Sequence, residues 1–469
     1  MKKINVSLFT AGSVLSALIG FSAIMVAAKY SDSGSIGEYS LYQASLSCSL
    51  IFIGLSIEQS MLRNFHGEQN IYGLLKSSFV PGGVIGLFLI VAQLFIPTIY
   101  SLAILRIPSV ELSFLICTSL ILNYFINILC VITRLVEKGG LYALGIVLPK
   151  IGFLMFLLIT VLSGKLFDTT RMIYGSIIGM ILTLFCFSYG LKDVITRTIY
   201  AEIDFAMVRE NLHYAIPLCF TGLLFSALTY LDRFILNSLG SKHELDLYAI
   251  SVSMAGFATI FQAAFSTVWA PIFYKWLQRN EAPDEIKVIT NVVTFIIVSI
   301  WSMLGLFGWV LQYVLPSDYQ KSTELLLCCV AFPLFYTITE VTGIGINVMK
   351  RTVIQLWITV CLILVNGCLS VILIPKFGAQ GAAISSSISF FMYFVIKSEL
   401  SNRVWHRFDN NKICIIFALL AAVSVALNCS LLNYVQSQFI FGLLFLLYVI
   451  FNLSELKSSL GRVKMYLSR

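Results

Sequence analysis

The sequence predicts an all-α protein that crosses a membrane about fourteen times. Of its 469 residues, 58% are hydrophobic and only 12% are charged. The mean hydropathy is +0.91, and apolar runs long enough to cross a bilayer recur from one end of the chain to the other. Because soluble domains carry roughly 25% charged residues, this chain has too little charge to cover a soluble surface. Most of the protein surface is therefore expected to contact lipid.

The individual spans follow from the length rule that a transmembrane helix needs about twenty mostly apolar residues. In chain order we predict spans at 6–28, 39–61, 78–100, 112–133, 142–163, 171–191, 213–238, 247–272, 288–313, 323–347, 352–374, 380–398, 412–431 and 438–455. Twelve spans are the alternative, if two of the sixth, twelfth and last runs do not cross the membrane. The first run is interpreted as an uncleaved helix rather than a cleaved signal peptide, because many further spans follow it.

The spans fall into two halves. A shift of 209 residues superposes Tyr39 on Tyr248, and each tyrosine is followed by an apolar span, which indicates an internal repeat. Internal repeats build the two bundles of many transporters, with the substrate site between them. We predict four parts: a six-helix bundle at 1–191, a cytoplasmic amphipathic linker helix at 192–212, a second six-helix bundle at 213–400, and two extra helices with a basic tail at 401–469.

The distribution of positive charge predicts the orientation in the membrane. With the N-terminus placed in the cytoplasm, 22 of the 31 Lys and Arg residues fall in inside segments and seven in outside loops. Cytoplasmic loops carry such an excess, so both termini are expected in the cytoplasm. The net charge of +8 then reflects loops that attract anionic headgroups. We expect membrane lipids as partners and no nucleic acid.

The sequence lacks the usual signatures of an enzyme. No DxD, HExxH, GxSxG or GxxxxGK[ST] motif occurs, and no loop assigned to the outside is large. The eleven Cys are scattered through apolar runs, and the four His stand at no ligand spacing. We therefore expect a carrier with no catalytic residues, no metal site and no cofactor.

Ionisable residues inside spans cost about 2.5–3.5 kcal/mol on insertion scales and indicate function by default. Lys150 lies near the middle of the fifth span, in GIVLPKIGFLMF, too deep to reach the interface easily. It would bind an anionic group in a hydrated cavity, or else pair with a buried carboxylate such as Glu340. Glu340, in the tenth span, would exchange a coupling ion or serve as a charge partner.

Other charges near span ends complete the candidate site. Neighbours on a helix point about 100° apart, so Arg233 is expected to face the cavity while Asp232 braces a helix contact. The alternative is an outer-end pair at the headgroups. Interface anchoring is likewise the alternative for the remaining candidates. The predicted cationic cavity comprises Lys150, Arg233, Arg63 and Lys29, and the ion-coupling groups or charge partners are Glu340, Asp232 and Glu58.

Two stretches resemble the polysaccharide flippases of the multidrug/oligosaccharidyl-lipid/polysaccharide (MOP) exporter superfamily, of the Wzx-like O-antigen type. The first is LDRFILNSLGSKHELDLYAISVSMAG, preceded by HYAIPL, and the second is ILIPKFGAQGAAISSSISFFMYF. In the second stretch Pro375 is expected to end the eleventh helix. Gly378 and Gly381 permit a tight turn, and the small residues that follow allow close helix packing.

The resemblance implies a function and its partners. It implies a flippase of the bacterial inner membrane that moves undecaprenyl-pyrophosphate-linked oligosaccharide units, for O-antigen (lipopolysaccharide) or capsule, by alternating access. A polysaccharide polymerase and a chain-length regulator are its implied protein partners. The alternative is an ion-coupled multidrug or organic-cation antiporter of the same superfamily. The cationic residues favour an anionic substrate, whereas antiporters of organic cations favour buried carboxylates.

Overall fold

The computed structural model describes residues 6–65, 70–278, 282–349 and 351–467. Over these ranges the chain is helical apart from its connections, and an isolated β-bridge joins Ser31 to Phe167. Thirteen helices in the described ranges are long and apolar enough to cross a membrane, and the count reaches fourteen if one bent pair forms a single span. The all-α polytopic fold class is therefore confirmed, with about fourteen spans rather than twelve.

The chain divides into two compact units, residues 1–230 and 231–469. The helices of the first unit are α1 (Val6–Tyr30), α2 (Ser35–Gly54), α3 (Ile57–Asn64), α4 (Ile71–Phe95), α5 (Ile99–Leu105), α6 (Val110–Leu135), α7 (Gly139–Leu162), α8 (Thr169–Gly190), α9 (Lys192–Tyr200) and most of α10 (Phe205–Leu239). In this unit α7 packs against both α1 and α8. The division into four parts drawn from the sequence stays a prediction.

The second unit begins within α10. Its further helices are α11 (Lys242–Gln278), α12 (Ala282–Phe307), α13 (Ser322–Cys329), α14 (Ala331–Thr342), α15 (Ile344–Val348), α16 (Thr352–Phe377), α17 (Ala379–Val404), α18 (Asn411–Asn428) and α19 (Tyr434–Leu467). Helix α17 packs against α14 and α16, and α19 packs along α12. The span predicted at 323–347 is thus a chain of three shorter helices.

The second predicted span is broken, contrary to the continuous helix expected at 39–61. Leu55 and Ser56 have φ angles of 48° and 56°, a left-handed conformation that costs non-glycine residues about 1–2 kcal/mol each. The two flanking helices, α2 and α3, meet at 56°. Both residues look ordinary in the sequence, so only the surrounding packing can hold them in this conformation.

The connection between the two predicted halves is only partly helical. Helix α9 ends at Tyr200 and α10 begins at Phe205, so the helix is shorter than the segment predicted at 192–212. The Lys76 ammonium of α4 donates to the carbonyl oxygens of Ile199 and Ala201, both at 2.7 Å. These hydrogen bonds hold the non-helical segment between α9 and α10 against α4.

The turn between α16 and α17 depends on glycine rather than on proline. Pro375 lies inside α16, which continues to Phe377, so the expectation that Pro375 ends the helix is wrong. A proline near a helix end removes one backbone donor, and one lost bond does not stop the last turn from forming. The helix ends where Gly378 takes a φ of 54°, a conformation that suits glycine.

Close glycine contacts fix the position of α7 against α8. A Cβ on Gly152 would lie 2.5 Å from the Cα of Gly179, and a Cβ on Gly179 would overlap the carbonyl oxygen of Pro149. These atoms are backbone and cannot move aside easily. The segment of α7 around Pro149 is therefore held directly against α8.

We expect Gly179→Ala to destabilise the folded protein by about 1–3 kcal/mol, because the added methyl group overpacks a backbone contact. The measurement is thermal unfolding of the full chain in detergent. Gly83→Ala in α4 is the matched control, since a Cβ there meets nothing within 4 Å. Equal melting temperatures for the two variants would contradict the close contact between α7 and α8.

Candidate functional site

Lys150 of α7 is half-buried between helices of the first unit. Its stem crosses α1, with Cδ 3.8 Å from the position that a Cβ on Gly20 would occupy. Among the described residues of this unit, the ammonium makes no hydrogen bond and no ion pair. A lysine in the middle of a predicted span with no partner among the described residues of its unit is the arrangement expected of a group that binds a ligand anion or water.

The structure does not place Lys29 and Arg63 beside Lys150. Lys29 is exposed at the end of α1, nine residues beyond Gly20 and therefore about 14 Å along the helix. Its ammonium lies 5.5 Å from the centroid of the Tyr30 ring. Arg63 is exposed on α3, with its guanidinium carbon 4.7 Å from the centroid of the Tyr214 ring. Both cations contact aromatic rings, which is typical of side chains near a membrane interface.

Glu58 of α3 has a cation near it. Its side chain is half-buried, and its carboxylate lies 3.6 Å from the position of a Cβ on Gly54. The charge of Arg134, near the end of α6, acts on it. The guanidinium carbon of Arg134 also lies 5.6 Å from the centroid of the Tyr142 ring. Glu58 and Arg134 therefore form a local charge group at the ends of α3 and α6.

A buried polar network in the first unit escaped the sequence analysis. Glu38, only 6% exposed, accepts a hydrogen bond from the Thr169 hydroxyl of α8. One residue later, the Tyr39 ring stacks on Phe153 of α7 with ring centroids 4.8 Å apart. Glu38 was missed because the predicted span began at residue 39, whereas α2 begins at Ser35. This network joins α2 to α7 and α8.

Asp232 ties three helices of the second unit together. Its side chain is 1% exposed and accepts hydrogen bonds from the Tyr248 hydroxyl of α11 and from the Ser386 hydroxyl of α17, the latter at 2.6 Å. The backbone N–H of Arg233 donates to its other oxygen at 2.8 Å. Both carboxylate oxygens are thus occupied. This geometry supports the bracing role.

Arg233 follows Asp232 on α10 and lies among buried groups. Its side chain is half-buried, and its charge acts on Tyr248 and on Cys329 of α13. Tyr248 is 3% exposed and Cys329 is 7% exposed. The guanidinium is therefore near the interior of the second unit, which supports a site role over contact with headgroups.

Glu340 of α14 faces α11 and α17. Both carboxylate oxygens accept from the Ser266 hydroxyl at 2.7 Å. The Trp269 indole N–H donates to the backbone carbonyl of Glu340 at 3.0 Å. The charges of Glu340 and Lys397 act on each other, although no direct ion pair joins them.

Lys397 is the charged residue that the sequence analysis most clearly missed. It is 6% exposed on α17, and its ammonium donates to the Tyr393 hydroxyl at 3.0 Å. Its stem packs over Gly343, with Cγ 2.9 Å from the position of a Cβ there. Lys397 falls at the end of the span predicted at 380–398, where a basic segment begins, and it was not taken as a candidate. The available signal was its spacing of four residues from Tyr393, which places both on one helix face.

The candidates therefore lie in separate groups. In the second unit Asp232 and Arg233 belong to one group, while Glu340 belongs to another with Lys397. In the first unit Lys150 stands apart from Glu58. Among the residues that the structure describes, no set of three or more His, Cys, Asp or Glu side chains has the arrangement of a metal site.

Comparison with known proteins places this geometry in a known fold. No protein-family model matches the chain. The chain is 22% identical over 263 residues to the probable low-salt glycan biosynthesis flippase Agl15 of Haloferax volcanii, a match that spans 54% of each protein and so about half of that relative's length. It is 23% identical over 403 residues to the capsular polysaccharide biosynthesis protein CapF of Staphylococcus aureus, covering 83% of this chain and 97% of CapF.

Solved structures extend the comparison to as much as 95% of the chain. The inward closed conformation of the lipid II flippase MurJ matches with a TM-score of 0.65 and 14% identity, over 95% of this chain and 99% of that one. An inward-facing MATE-family multidrug resistance transporter of the MOP superfamily matches with a TM-score of 0.60 and 13% identity, over 85% and 97%. At these identities the structures show the fold alone.

Two sequence stretches predicted a resemblance to the polysaccharide flippases of the MOP superfamily, and relatives named for glycan and capsular polysaccharide biosynthesis confirm it. The chain therefore has the fold of the MOP superfamily transporters.

Proposed function

We propose that the chain is a flippase for lipid-linked oligosaccharides. It would take undecaprenyl-pyrophosphate-linked repeat units of O-antigen or capsule from the cytoplasmic leaflet of a bacterial inner membrane. It would then release them on the other side by alternating access, where a polymerase and a chain-length regulator act on them. The observation that carries this proposal is Lys150, a cation within a predicted span that has no partner in the described part of its own unit.

Phosphate chemistry explains why a lysine suits this position. A lysine ammonium binds phosphate oxygens as a compact point charge with three donors. A pyrophosphate crossing the membrane needs such compensation because an isolated anion is very costly to desolvate. An organic cation would instead be repelled by Lys150. The names of the two sequence relatives support the same substrate class.

The other cations have different roles in this proposal. Arg233, near the interior of the second unit, is the second candidate for contact with the anionic group. Lys29 and Arg63 are exposed beside tyrosine rings, which suits attraction of the substrate near the interface rather than tight binding.

The antiporter alternative rests on one observation, the fold match to multidrug transporters of the same superfamily. Those matches are below 25% identity and indicate architecture. Glu340 and Asp232 are the carboxylates that such a transporter would use. Both already accept hydrogen bonds inside the second unit, so the flippase remains the better supported function.

We expect Lys150→Ala to reduce surface polysaccharide at least about tenfold, because it removes a charge-assisted contact to the substrate anion. The measurement is complementation of a strain that lacks its own O-unit or capsule flippase. Lys150→Arg should recover part of the activity, since it restores the positive charge.

Lys165→Ala is the matched control, because Lys165 is exposed just beyond the end of α7. It should complement as well as wild type does. Membrane insertion of every variant is measured in parallel. Full activity of a well-inserted Lys150→Ala protein would remove the substrate role of Lys150 and leave the flippase function standing.

For Glu340 we propose the role of charge partner to Lys397, one of the two roles that the sequence left open. The structure supplies the cation that this role needs, since Lys397 is buried and its charge acts on Glu340. The Ser266 hydroxyl fixes the carboxylate. Two opposite charges in one bundle compensate each other, and removing one leaves the other uncompensated.

We expect Glu340→Gln and Lys397→Met each to lower the melting temperature, and the double variant to lose less than the sum of the two. Thermal unfolding of the full chain in detergent measures this coupling. Glu399→Gln and Arg403→Met form the control cycle, because that pair lies exposed on α17 with Nε 3.0 Å from Oε1. An exposed pair of this kind contributes only about 0–1 kcal/mol.

The same variants separate this role from ion coupling. If Glu340→Gln melts like wild type and still abolishes surface polysaccharide, Glu340 is a coupling group and the charge-partner role is wrong. Additive effects in the Glu340 and Lys397 cycle would contradict the partnership directly.

A further inference from the structure

A cavity lies in the second unit, and none of the candidate residues described above lines it. It measures about 820 Å³ and is lined by α12, α18, α19 and the connection that precedes α18. The parts of these helices that line it are the start of α12, the start of α18 and the end of the apolar part of α19. The charge bias of the loops assigns all three to the cytoplasmic side.

Basic side chains surround one part of this cavity. Its lining includes Lys287, Arg407 and Lys412. Lys412 pairs with Glu455, with Nζ 3.7 Å from Oε1, whereas Lys287 and Arg407 make no ion pair with any described residue. Asp409 also lines the cavity, and its Oδ1 accepts from a backbone N–H at 3.1 Å. The lining therefore offers two uncommitted cations to an anionic ligand.

Two buried polar atoms in the lining have no hydrogen-bond partner among the described residues. They are Oγ1 of Thr294, a residue 1% exposed, and Nδ2 of Asn410, a residue 8% exposed. A buried donor left unsatisfied costs about 1–3 kcal/mol, and native structures rarely keep such groups without a reason. Asn410 also precedes α18, whose N-terminal amides favour an anion. These donors indicate a ligand rich in hydrogen-bond acceptors.

The rest of the lining is apolar and continues onto the lipid-facing surface. Ile416 of α18 and Leu444 of α19 line the cavity, and so does Phe451, which is 77% exposed. In a membrane such a surface contacts hydrocarbon chains. The cavity thus combines cations and free donors with an apolar wall open to lipid, which is the arrangement of a phospholipid site.

We propose that this cavity binds one anionic glycerophospholipid of the cytoplasmic leaflet. Its phosphate would lie between Lys287 and Arg407 and accept hydrogen bonds from Thr294 and Asn410. Its acyl chains would follow the apolar wall formed by α18 and α19. Free phosphate offers the same oxygens and no hydrocarbon, so the apolar wall favours the lipid. This site is independent of the transport function proposed above.

Native mass spectrometry of the full chain in uncharged detergent tests the proposal. The probes are phosphatidylglycerol, phosphatidylcholine, undecaprenyl phosphate and inorganic phosphate. Wild type should bind one phosphatidylglycerol in preference to phosphatidylcholine. The Lys287→Ala and Arg407→Ala double variant should bind it about thirtyfold more weakly, since each cation near an anionic headgroup contributes about 1 kcal/mol.

Two further variants distinguish this pocket from general charge attraction. Lys192→Ala with Arg209→Ala removes two exposed cations of the first unit and should leave phosphatidylglycerol affinity unchanged. Thr294→Val keeps the shape and removes the hydroxyl, so it should weaken lipid binding without lowering the melting temperature.

Four results would overturn the proposal. They are equal binding of phosphatidylglycerol and phosphatidylcholine, an equal loss in the control double variant, preference for undecaprenyl phosphate, and displacement of the lipid by inorganic phosphate. The third would assign the cavity to the carrier lipid, and the fourth would assign it to a free anion.

Discussion

The cost of a charged group in hydrocarbon governs how this molecule uses its ionisable residues. Such a group persists only where another group, water or a ligand compensates it. Asp232 is compensated by hydrogen bonds from Tyr248 and Ser386, and Glu340 has Lys397 and Ser266 near it. Lys150 has no such partner among the residues of its unit that the structure describes. Nearby groups thus account for the charges of Asp232 and Glu340 without a ligand, whereas the charge of Lys150 is the one that we explain by a ligand.

Glycine geometry determines where these charges lie. The contact of Gly152 with Gly179 presses α7 against α8, and this contact fixes the turn of α7 that carries Lys150. In the second unit the residues that precede α17 turn tightly at Gly378, so that Ser386 reaches Asp232. Small residues at helix contacts are the usual means of close packing in membranes. The close approach of neighbouring helix backbones thus fixes the positions of polar groups that would be unfavourable in contact with lipid.

The sequence predicted the parts of the fold that depend on composition and length. Apolar runs located nearly every long helix, because a bilayer imposes one length on each. It could not predict the break at Leu55 and Ser56, since neither residue type favours a left-handed conformation and tertiary packing imposes it. Lys397 was missed for a similar reason: it begins a basic segment at the end of the predicted span, yet α17 continues through that segment to Val404. The burial of a charge depends on neighbours from other helices, which local patterns do not reveal.

The most direct test of the account is transport by the purified protein in sealed liposomes. These would contain a fluorescent undecaprenyl-pyrophosphate-linked oligosaccharide in both leaflets, and a membrane-impermeant quencher would report the outer fraction. The account predicts that liposomes containing the protein lose nearly all fluorescence while protein-free liposomes keep the protected inner fraction. If protein-containing and protein-free liposomes protect the lipid equally, while the protein exchanges a cationic dye against an imposed ion gradient, the chain is an antiporter and the central claim is wrong.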